Sequence, residues 1–160
     1  MLKPILTALC VVAAASPLSA AEITTASIVG RWQGPSWVDE SGEAPLTLDI
    51  VACGQGWCGV RVAANDTCGG TALKVNAGIV EENNAQFEGT LELAVGTEPY
   101  TVHATIFPPE PDGKLTMQLT GDTGGQFRAY RRSFPFEAQL ARVKDAVCHV
   151  PATVSSLDRH

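Results

Sequence analysis

Short segments of alternating apolar and polar residues, separated by turn-forming residues, restrict the fold of this chain more than any other feature. In QFEGTLELA, for example, Phe87, Leu91 and Leu93 share one face of a strand, and the other face carries Glu88, Thr90 and Glu92. The separators, such as NDTCGG and PPEPDG, contain the Gly, Pro, Asn and Asp that tight turns use. Strands are predicted at Ile28–Val38, Leu46–Cys53, Cys58–Ala63, Thr71–Val80, Gln86–Ala94, Tyr100–Phe107, Lys114–Thr120 and Gln126–Ser133. Eight such strands predict a mainly β fold, either a small antiparallel barrel or a sandwich.

A different periodicity follows the last predicted strand, in FEAQLARVKDAV. The apolar residues there recur at helical spacing: Phe136, Leu140, Val143 and Val147. Glu137 near the start and Lys144 near the end both complement a helix dipole. We therefore expect one C-terminal α-helix, lying against the outside of the barrel or across one end, with Cys148 directly after it.

The first residues, MLKPILTALCVVAAASPLSAAE, have the order of a secretory signal peptide: Lys3, an apolar run, then small residues. Cleavage is predicted after Ala21, and cleavage after Ala20 is nearly as good. The apolar run is about half of the roughly 20 residues that a membrane-spanning helix needs, and no later segment approaches that length. We predict a signal peptide at 1–21, one barrel domain with its C-terminal helix at 22–150, a tail at 151–160, and a periplasmic or secreted location without a membrane span.

Charge narrows the choice of partners. Removing the leader takes away Lys3 and leaves ten basic against seventeen acidic residues, a net charge of −7. Nucleic acid and anionic membranes are poor partners for such a surface, whereas a cationic protein would be attracted to it.

Four cysteines remain after cleavage, and an even number in an exported chain indicates two disulfides with three possible pairings. We predict Cys53 with Cys58 and Cys68 with Cys148, the second tying the end of the chain to its first half. A redox dithiol would favour two intervening residues over the four found here. A zinc site could use the same four cysteines, but these are scattered along the chain and an oxidising compartment favours disulfides. Neither a metal nor a cofactor is predicted.

The hairpin between Cys53 and Cys58 contains a conflict. In LTLDIVAC the apolar face carries Ile50 and its alternate neighbours, whereas in CGVRV it carries Cys58 and Val60. If the two cysteines lie directly opposite each other, Val60 pairs with Val51 and the apolar faces point in opposite directions. A β-bulge at one of the nearby glycines would restore a common face; otherwise Cys53 bonds elsewhere.

Three sequence features resemble a family of uncharacterised bacterial exported proteins with a lipocalin-like (calycin) β-barrel. They are Gly30-Arg31-Trp32 at the first strand, C-G-x-x-x-C-G from Cys53 to Gly59, and an aromatic-x-Arg ending from Tyr130 to Arg132. The resemblance implies that Trp32 closes the base of the barrel with Arg132 stacked over it, a cation–π contact. Trp32 as an ordinary core residue is the alternative.

Large aromatic residues in or near the predicted turns suggest a binding role. Trp57 lies at the tip of the cysteine hairpin, Trp37 follows Gly34-Pro35, and Tyr100 and Phe107 bound another predicted strand. Exposed aromatic residues in turns are often used for binding, although burial under the C-terminal helix is an alternative. The first hypothesis is a binding protein for a small apolar or amphipathic molecule, with these four residues as candidate walls.

The second hypothesis is an inhibitor or partner-binding module for a cationic hydrolase such as lysozyme or a protease. It is favoured by the negative charge and by loops that disulfides hold rigid. Neither G-x-S-x-G nor H-E-x-x-H is present, and the D-T-G within GDTGG is explained by a hairpin turn. No catalytic residue is predicted, and the protein is not expected to be an enzyme.

Overall fold

The computed structural model describes residues 23–38, 42–76, 78–81, 84–94, 96–109, 113–122 and 135–150. Over these residues the chain forms one short helix, α1 (Thr25–Ile28), and nine strands. The strands are β1 (Gly30–Val38), β2 (Glu43–Cys53), β3 (Gly56–Val62), β4 (Cys68–Val75), β5 (Ile79–Glu81), β6 (Asn84–Leu91), β7 (Tyr100–Phe107), β8 (Thr116–Asp122) and β9 (Phe136–Lys144). Among these elements, no helix has the length and apolar character needed to cross a membrane.

Eight antiparallel strands form a closed barrel, which confirms the mainly β fold and the barrel predicted from the sequence. The order of neighbours is β4-β3-β2-β1-β9-β8-β7-β6, and β4 pairs back onto β6 to close the ring. The short β5 adds to the first half of β6, over Asn84–Gln86, while the second half, Gly89–Leu91, pairs with β4. Each strand of the ring therefore has two neighbours.

The C-terminal helix predicted within 136–147 is wrong, because residues 136–144 form β9 between β1 and β8. Phe136 and Leu140 are four residues apart, a spacing that places two side chains on one face of a helix and of a strand alike. Ala138 distinguishes the two: it is buried between them with strand alternation, while Val143 is 46% exposed. Closing the barrel required a strand at this position, and tertiary pairing outweighed the helical pattern.

Several predicted segments lie outside the described residues. They are the leader (1–21), the tail (151–160) and the strand Gln126–Ser133, which contains Tyr130 and Arg132. What the sequence predicts for these three segments therefore stays a prediction.

The inside of the barrel is a packed hydrophobic core. The largest inward side chains are almost fully buried and belong to one cluster: Trp32, Leu48, Ile50, Leu73, Phe87, Leu91, Val102, Ile106, Leu119, Phe136 and Leu140. Burial of each such side chain contributes roughly 1.5–3 kcal/mol. A barrel of about eight strands is just wide enough for its own side chains to fill it.

The segment before β1 joins this core. Thr24 caps α1, because the Ser27 backbone N–H donates to Thr24 Oγ1 at 3.2 Å and the Thr24 N–H donates to Ser27 Oγ at 2.9 Å. The buried Ile23 and Ile28 flank this short turn. Trp32 Nε1 donates to the Ile28 carbonyl at 2.9 Å, so the one polar atom of a fully buried indole has a partner.

Both predicted disulfides are confirmed, Cys53 with Cys58 and Cys68 with Cys148. In the first hairpin the two cysteines are not directly opposite each other, but β2 and β3 pair without a bulge and their apolar faces still point in opposite directions. Cys53 pairs with Gly56 and Cys58 pairs with Val51, so the disulfide joins diagonal neighbours on one face.

Because of this register, Val60 lies opposite Asp49, on the outer face of the barrel. Val60, Val62 and Cys148 form a second buried cluster, against which Val51 and Val150 also pack. The C-terminal segment, residues 145–150, therefore covers the outer face of β2 and β3. The two apolar faces do point in opposite directions, and both are buried.

Candidate functional site

A buried ion pair lies under the C-terminal segment, where Arg31 of β1 faces Asp49 of β2. Arg31 Nε donates to Asp49 Oδ1 at 2.7 Å and Arg31 Nη2 donates to Asp49 Oδ2 at 3.0 Å, a two-point contact. The backbone N–H groups of Val147 and Cys148 donate to Asp49 Oδ2 at 2.9 and 2.7 Å. Arg31 Nη1 also donates to Asp66. Arg31 is 3% exposed and Asp49 is fully buried.

The charge state of this pair follows from its contacts. Burial acts to raise the pKa of Asp49, but hydrogen bonds from Arg31 and from the backbone of Cys148 and Val147 outweigh it and lower that pKa to about 2. Bonding to Asp49 raises the pKa of Arg31 above its ordinary value, against the opposing effect of burial. Both groups are therefore charged near neutral pH. Their hydrogen bonds hold the C-terminal segment to the barrel, which favours a structural role over catalysis.

A second arginine lies at the end of the barrel near α1. Arg142 of β9 pairs with Trp32 of β1, and its Nε and Nη2 donate to the Val29 carbonyl at 3.1 and 2.9 Å. Nη2 also donates to Asp145 Oδ1 at 2.8 Å. Gly30 has φ +155°, and a Cβ there would lie 2.5 Å from Arg142 Nε. The glycine of the Gly30-Arg31-Trp32 sequence thus leaves room for the guanidinium.

The family resemblance implied an arginine of the last strand over Trp32 and assigned that part to Arg132. Arg132 lies outside the described residues, so its contact stays a prediction. Arg142 was missed because its segment was interpreted as a helix. The signal that identifies it is the strand alternation of Phe136, Ala138 and Leu140, which continues to residue 142.

Two of the four predicted wall residues belong to the interior. Trp57 is 8% exposed and packs edge-on against Phe87, with ring centroids 4.9 Å apart and planes at 66°. Tyr100 is half-buried and packs against the core, with its ring 5.5 Å from that of Phe136. Neither position is an open rim, and their role in ligand binding stays a prediction.

The other two wall residues lie on the outside. Trp37 is half-buried on β1, between Glu43 of β2 and Glu137 of β9 in the pairing register. Phe107, at the end of β7, is 41% exposed. The structure therefore does not bring the four aromatic residues together into one ligand cavity.

An open groove of about 450 Å³ lies on the outer face of β1, β9 and β8, with Phe107 at its margin. Its lining comes from Gln33, Gly34 and Pro35 of β1, from Gln139, Leu140 and Ala141 of β9, from Thr116, Met117 and Gln118 of β8, and from Phe107. The volume falls in the range of small-molecule sites, about 300–1,000 Å³.

The sequence explains why there is a depression at this place. One row across the strands runs Gln33, Ala141, Thr116 and Phe107, so the smallest side chain stands between longer ones. Gly34 lies so close to β9 that a Cβ on it would be 1.9 Å from the Gln139 carbonyl. The short side chain of Ala141 therefore leaves the depression, while the absence of a Cβ on Gly34 lets β1 approach β9 closely.

The groove is polar but uncharged. None of its lining residues ionises, and three of them, Gln33, Gln118 and Gln139, carry carboxamides that both donate and accept hydrogen bonds. Gln118 and Gln139 pair directly across β8 and β9. In the described part of the chain, no three His, Cys, Asp or Glu side chains are grouped as ligands of a metal ion. The groove is therefore equipped for binding an uncharged molecule, with an exposed aromatic ring at one side.

Of this set, only Phe107 was predicted from the sequence as a binding residue. The alternation in KLTMQLT already places Gln118 and Thr116 on the outer face, where they pass for an ordinary polar side. Gln139 and Ala141 were hidden by the helical interpretation of their segment. Which strands lie next to each other cannot be obtained from alternation, and the groove depends on the pairing of β1 with β9.

Comparison with known proteins leaves the site to be interpreted from its own residues: no family model, no curated protein and no solved structure matches this chain.

Proposed function

We propose that this protein is an exported, disulfide-braced binding domain that holds a small amphipathic ligand in the outer groove. The observation that carries the proposal is the uncharged groove of about 450 Å³, with carboxamides along it and Phe107 at its margin. Ligand sites of this kind combine apolar surface with a few polar groups that fix orientation.

The packed core favours this groove over a cavity inside the barrel. Inward side chains such as Trp32, Leu119 and Phe136 are fully buried and belong to one contiguous cluster. A carrier that encloses an apolar ligand would need that space to be open.

The lining of the groove favours binding over catalysis. General acid–base and nucleophilic mechanisms need an ionisable group or an activated nucleophile next to the substrate. The groove offers carboxamides and the hydroxyl of Thr116 instead. We therefore infer a protein that binds its ligand unchanged.

Export is supported by the predicted leader and by the two disulfides, which persist in oxidising compartments. We place the mature protein in the periplasm or outside the cell, after cleavage near Ala21. The closed sheet that carries the groove suits a binding site, because a rigid site loses little conformational entropy when it is occupied.

Chemical-shift mapping tests the proposal. ¹⁵N-labelled protein is titrated with a panel of uncharged compounds: aromatic alcohols, short alkyl polyethers, and neutral mono- and disaccharides. We expect at least one compound class to shift the side-chain amides of Gln33, Gln118 and Gln139. Gln118→Ala should weaken that binding, whereas Gln55→Ala, at an exposed glutamine in the turn between β2 and β3, should leave it unchanged. Shifts confined to interior residues such as Val102, or no shift with any compound, would contradict the proposal.

A second candidate function is binding of a cationic protein, favoured by the mature net charge of −7 and by the surroundings of Trp37. Glu43 and Glu137 flank this half-buried indole in the pairing register, an arrangement that attracts lysine and arginine side chains. Biolayer interferometry against lysozyme, at low and at high salt, tests it. We expect salt-sensitive binding that E43Q/E137Q weakens; binding equal in both proteins would exclude this surface.

A further inference from the structure

We infer that the ligand of the outer groove is a neutral saccharide, with a sugar ring stacked on Phe107 and hydroxyls bonded by Gln33, Gln118 and Gln139. This inference rests on the proposed function, because it names the class of ligand for the same groove. It goes further in excluding apolar molecules, ions and peptides as the preferred occupants.

The glutamine carboxamides of the groove favour a saccharide over an apolar or ionic ligand. A sugar hydroxyl both donates and accepts hydrogen bonds, and a glutamine amide can do the same at one position. An apolar ligand would remove water from Gln118 and Gln139 without replacing its hydrogen bonds, which opposes binding. An ionic ligand would find no opposite charge along the groove, whose lining residues are all uncharged.

The spacing of the two strands that carry these glutamines also fits a saccharide. Gln118 and Gln139 are direct neighbours on β8 and β9. Neighbouring strands lie about 4.8 Å apart, which is close to the width of one sugar ring. Two adjacent amides can therefore bond two hydroxyls of one ring, or hydroxyls of neighbouring rings in a short oligosaccharide.

The exposed ring of Phe107 offers a stacking surface for a sugar. Phe107 is 41% exposed and pairs with Thr116 at the margin of the groove. A sugar ring has polar edges and a C–H face, so it presents apolar surface to an aromatic ring while its hydroxyls point to the amides. The small Ala141, between Gln33 and Thr116 in the row, leaves depth for such a ring.

The closed sheet argues against an extended peptide. A peptide that adds to a sheet bonds main chain to main chain along a free strand edge. Strands β1, β9 and β8 each have two paired neighbours, so their backbone groups are already used within the sheet. Recognition in the groove must come from side chains.

A glycan array of neutral oligosaccharides, followed by titration of the best-bound sugar into ¹⁵N-labelled protein, tests the inference. We expect shifts at Gln33, Gln118 and Gln139. Ala141→Leu, which fills the groove from its outward floor, should abolish binding, and Phe107→Ala should weaken it at least about tenfold. Gln118→Ala should weaken it about fivefold, the effect of losing one hydrogen bond. Gln55→Ala is the matched control, because Gln55 is exposed in the turn between β2 and β3, and thermal unfolding of each variant confirms that the fold is retained.

The outcomes separate this inference from the proposed function. If no saccharide binds but aromatic alcohols or polyethers shift the groove amides, the saccharide inference is overturned and the proposed function stands. If a peptide library competes for the groove more strongly than any sugar, the inference is likewise overturned. If neither sugars nor other uncharged compounds bind there, both fail.

Discussion

On the outer face of β2 and β3, Asp49 and Val60 are covered by the C-terminal segment, whereas on the outer face of β9 and β8, Gln139 and Gln118 are exposed. Both regions are the outside of one closed sheet, and both carry polar side chains. In the covered region the carboxylate of Asp49 is bonded to Arg31 and to two backbone N–H groups. In the open region the glutamine amides face solvent.

The difference shows which polar groups serve the fold and which are available to a ligand. A buried charge is tolerated only when paired and hydrogen-bonded, so the Arg31–Asp49 pair requires the cover that surrounds it. An exposed amide costs the fold little, because water satisfies it until another molecule replaces the water. The covered region should therefore determine stability, and the open region should determine binding.

The largest expected effect on stability comes from removing the disulfide that holds the C-terminal segment to the barrel. C68A/C148A opens a link across 80 residues of sequence, for which chain entropy alone predicts a loss of about 4.5 kcal/mol of unfolding free energy. The five-residue separation of C53A/C58A predicts about 2 kcal/mol. Urea denaturation of the two double variants measures both. Equal losses would mean that linking the C-terminal segment to β4 stabilises the protein no more than the short cross-link in the β2–β3 hairpin does.

Removing one partner of the covered ion pair should have the next largest effect. Asp49→Asn leaves the buried Arg31 guanidinium with only the exposed Asp66 as a counter-charge, and we expect a loss of about 3 kcal/mol in unfolding free energy. Asp145→Asn is the control, because Asp145 also contacts an arginine but is exposed, and it should change stability little. If both substitutions lower the unfolding free energy equally in urea denaturation, the buried Arg31–Asp49 pair contributes no more stability than the exposed Arg142–Asp145 pair.

Acid should weaken the covered region through the same carboxylate. The pKa of Asp49 is about 2 in the folded state, below its ordinary value of 3.8, so its contribution is complete above pH 5 and is lost as pH falls through 2. The shift corresponds to about 2 kcal/mol. Urea denaturation between pH 5 and pH 2 should show this loss in the wild type, and a shallower slope in Asp49→Asn. Parallel slopes would contradict the assignment to Asp49.

How far sequence alone leads differs between the two regions. Alternation and turn residues predicted a barrel or a sandwich, and the even number of cysteines allowed three pairings, of which the predicted one is confirmed. The cover was not foreseen, since the face conflict at Val60 was resolved in the sequence analysis by a bulge or another disulfide partner. A second buried face on the outside was the remaining solution, and it depends on where residues 145–150 lie in space.

The groove was beyond sequence reasoning for a related reason. Phe136 and Leu140 fit helical and strand periods equally, and the helical interpretation removed β9 from the sheet. Without β9 there is no pairing of Gln33 with Ala141 and of Gln139 with Gln118. Local pattern gives the faces of single strands, whereas a site built across three strands requires their order.

The smallest expected effect on stability comes from a substitution in the open region, compared with one in the covered region. Ala141→Leu adds bulk to an outward side chain, and we expect a change within about 0.5 kcal/mol in unfolding free energy. Val60→Thr keeps its size but buries a hydroxyl under the C-terminal segment, and should lose about 1–2 kcal/mol. In ligand titrations the order reverses: Ala141→Leu should lose groove binding while Val60→Thr retains it. If stability and binding belong to different regions, each substitution should change only one of the two properties. A destabilised Ala141→Leu, or a Val60→Thr variant that loses binding, would therefore mean that one region determines both stability and ligand binding.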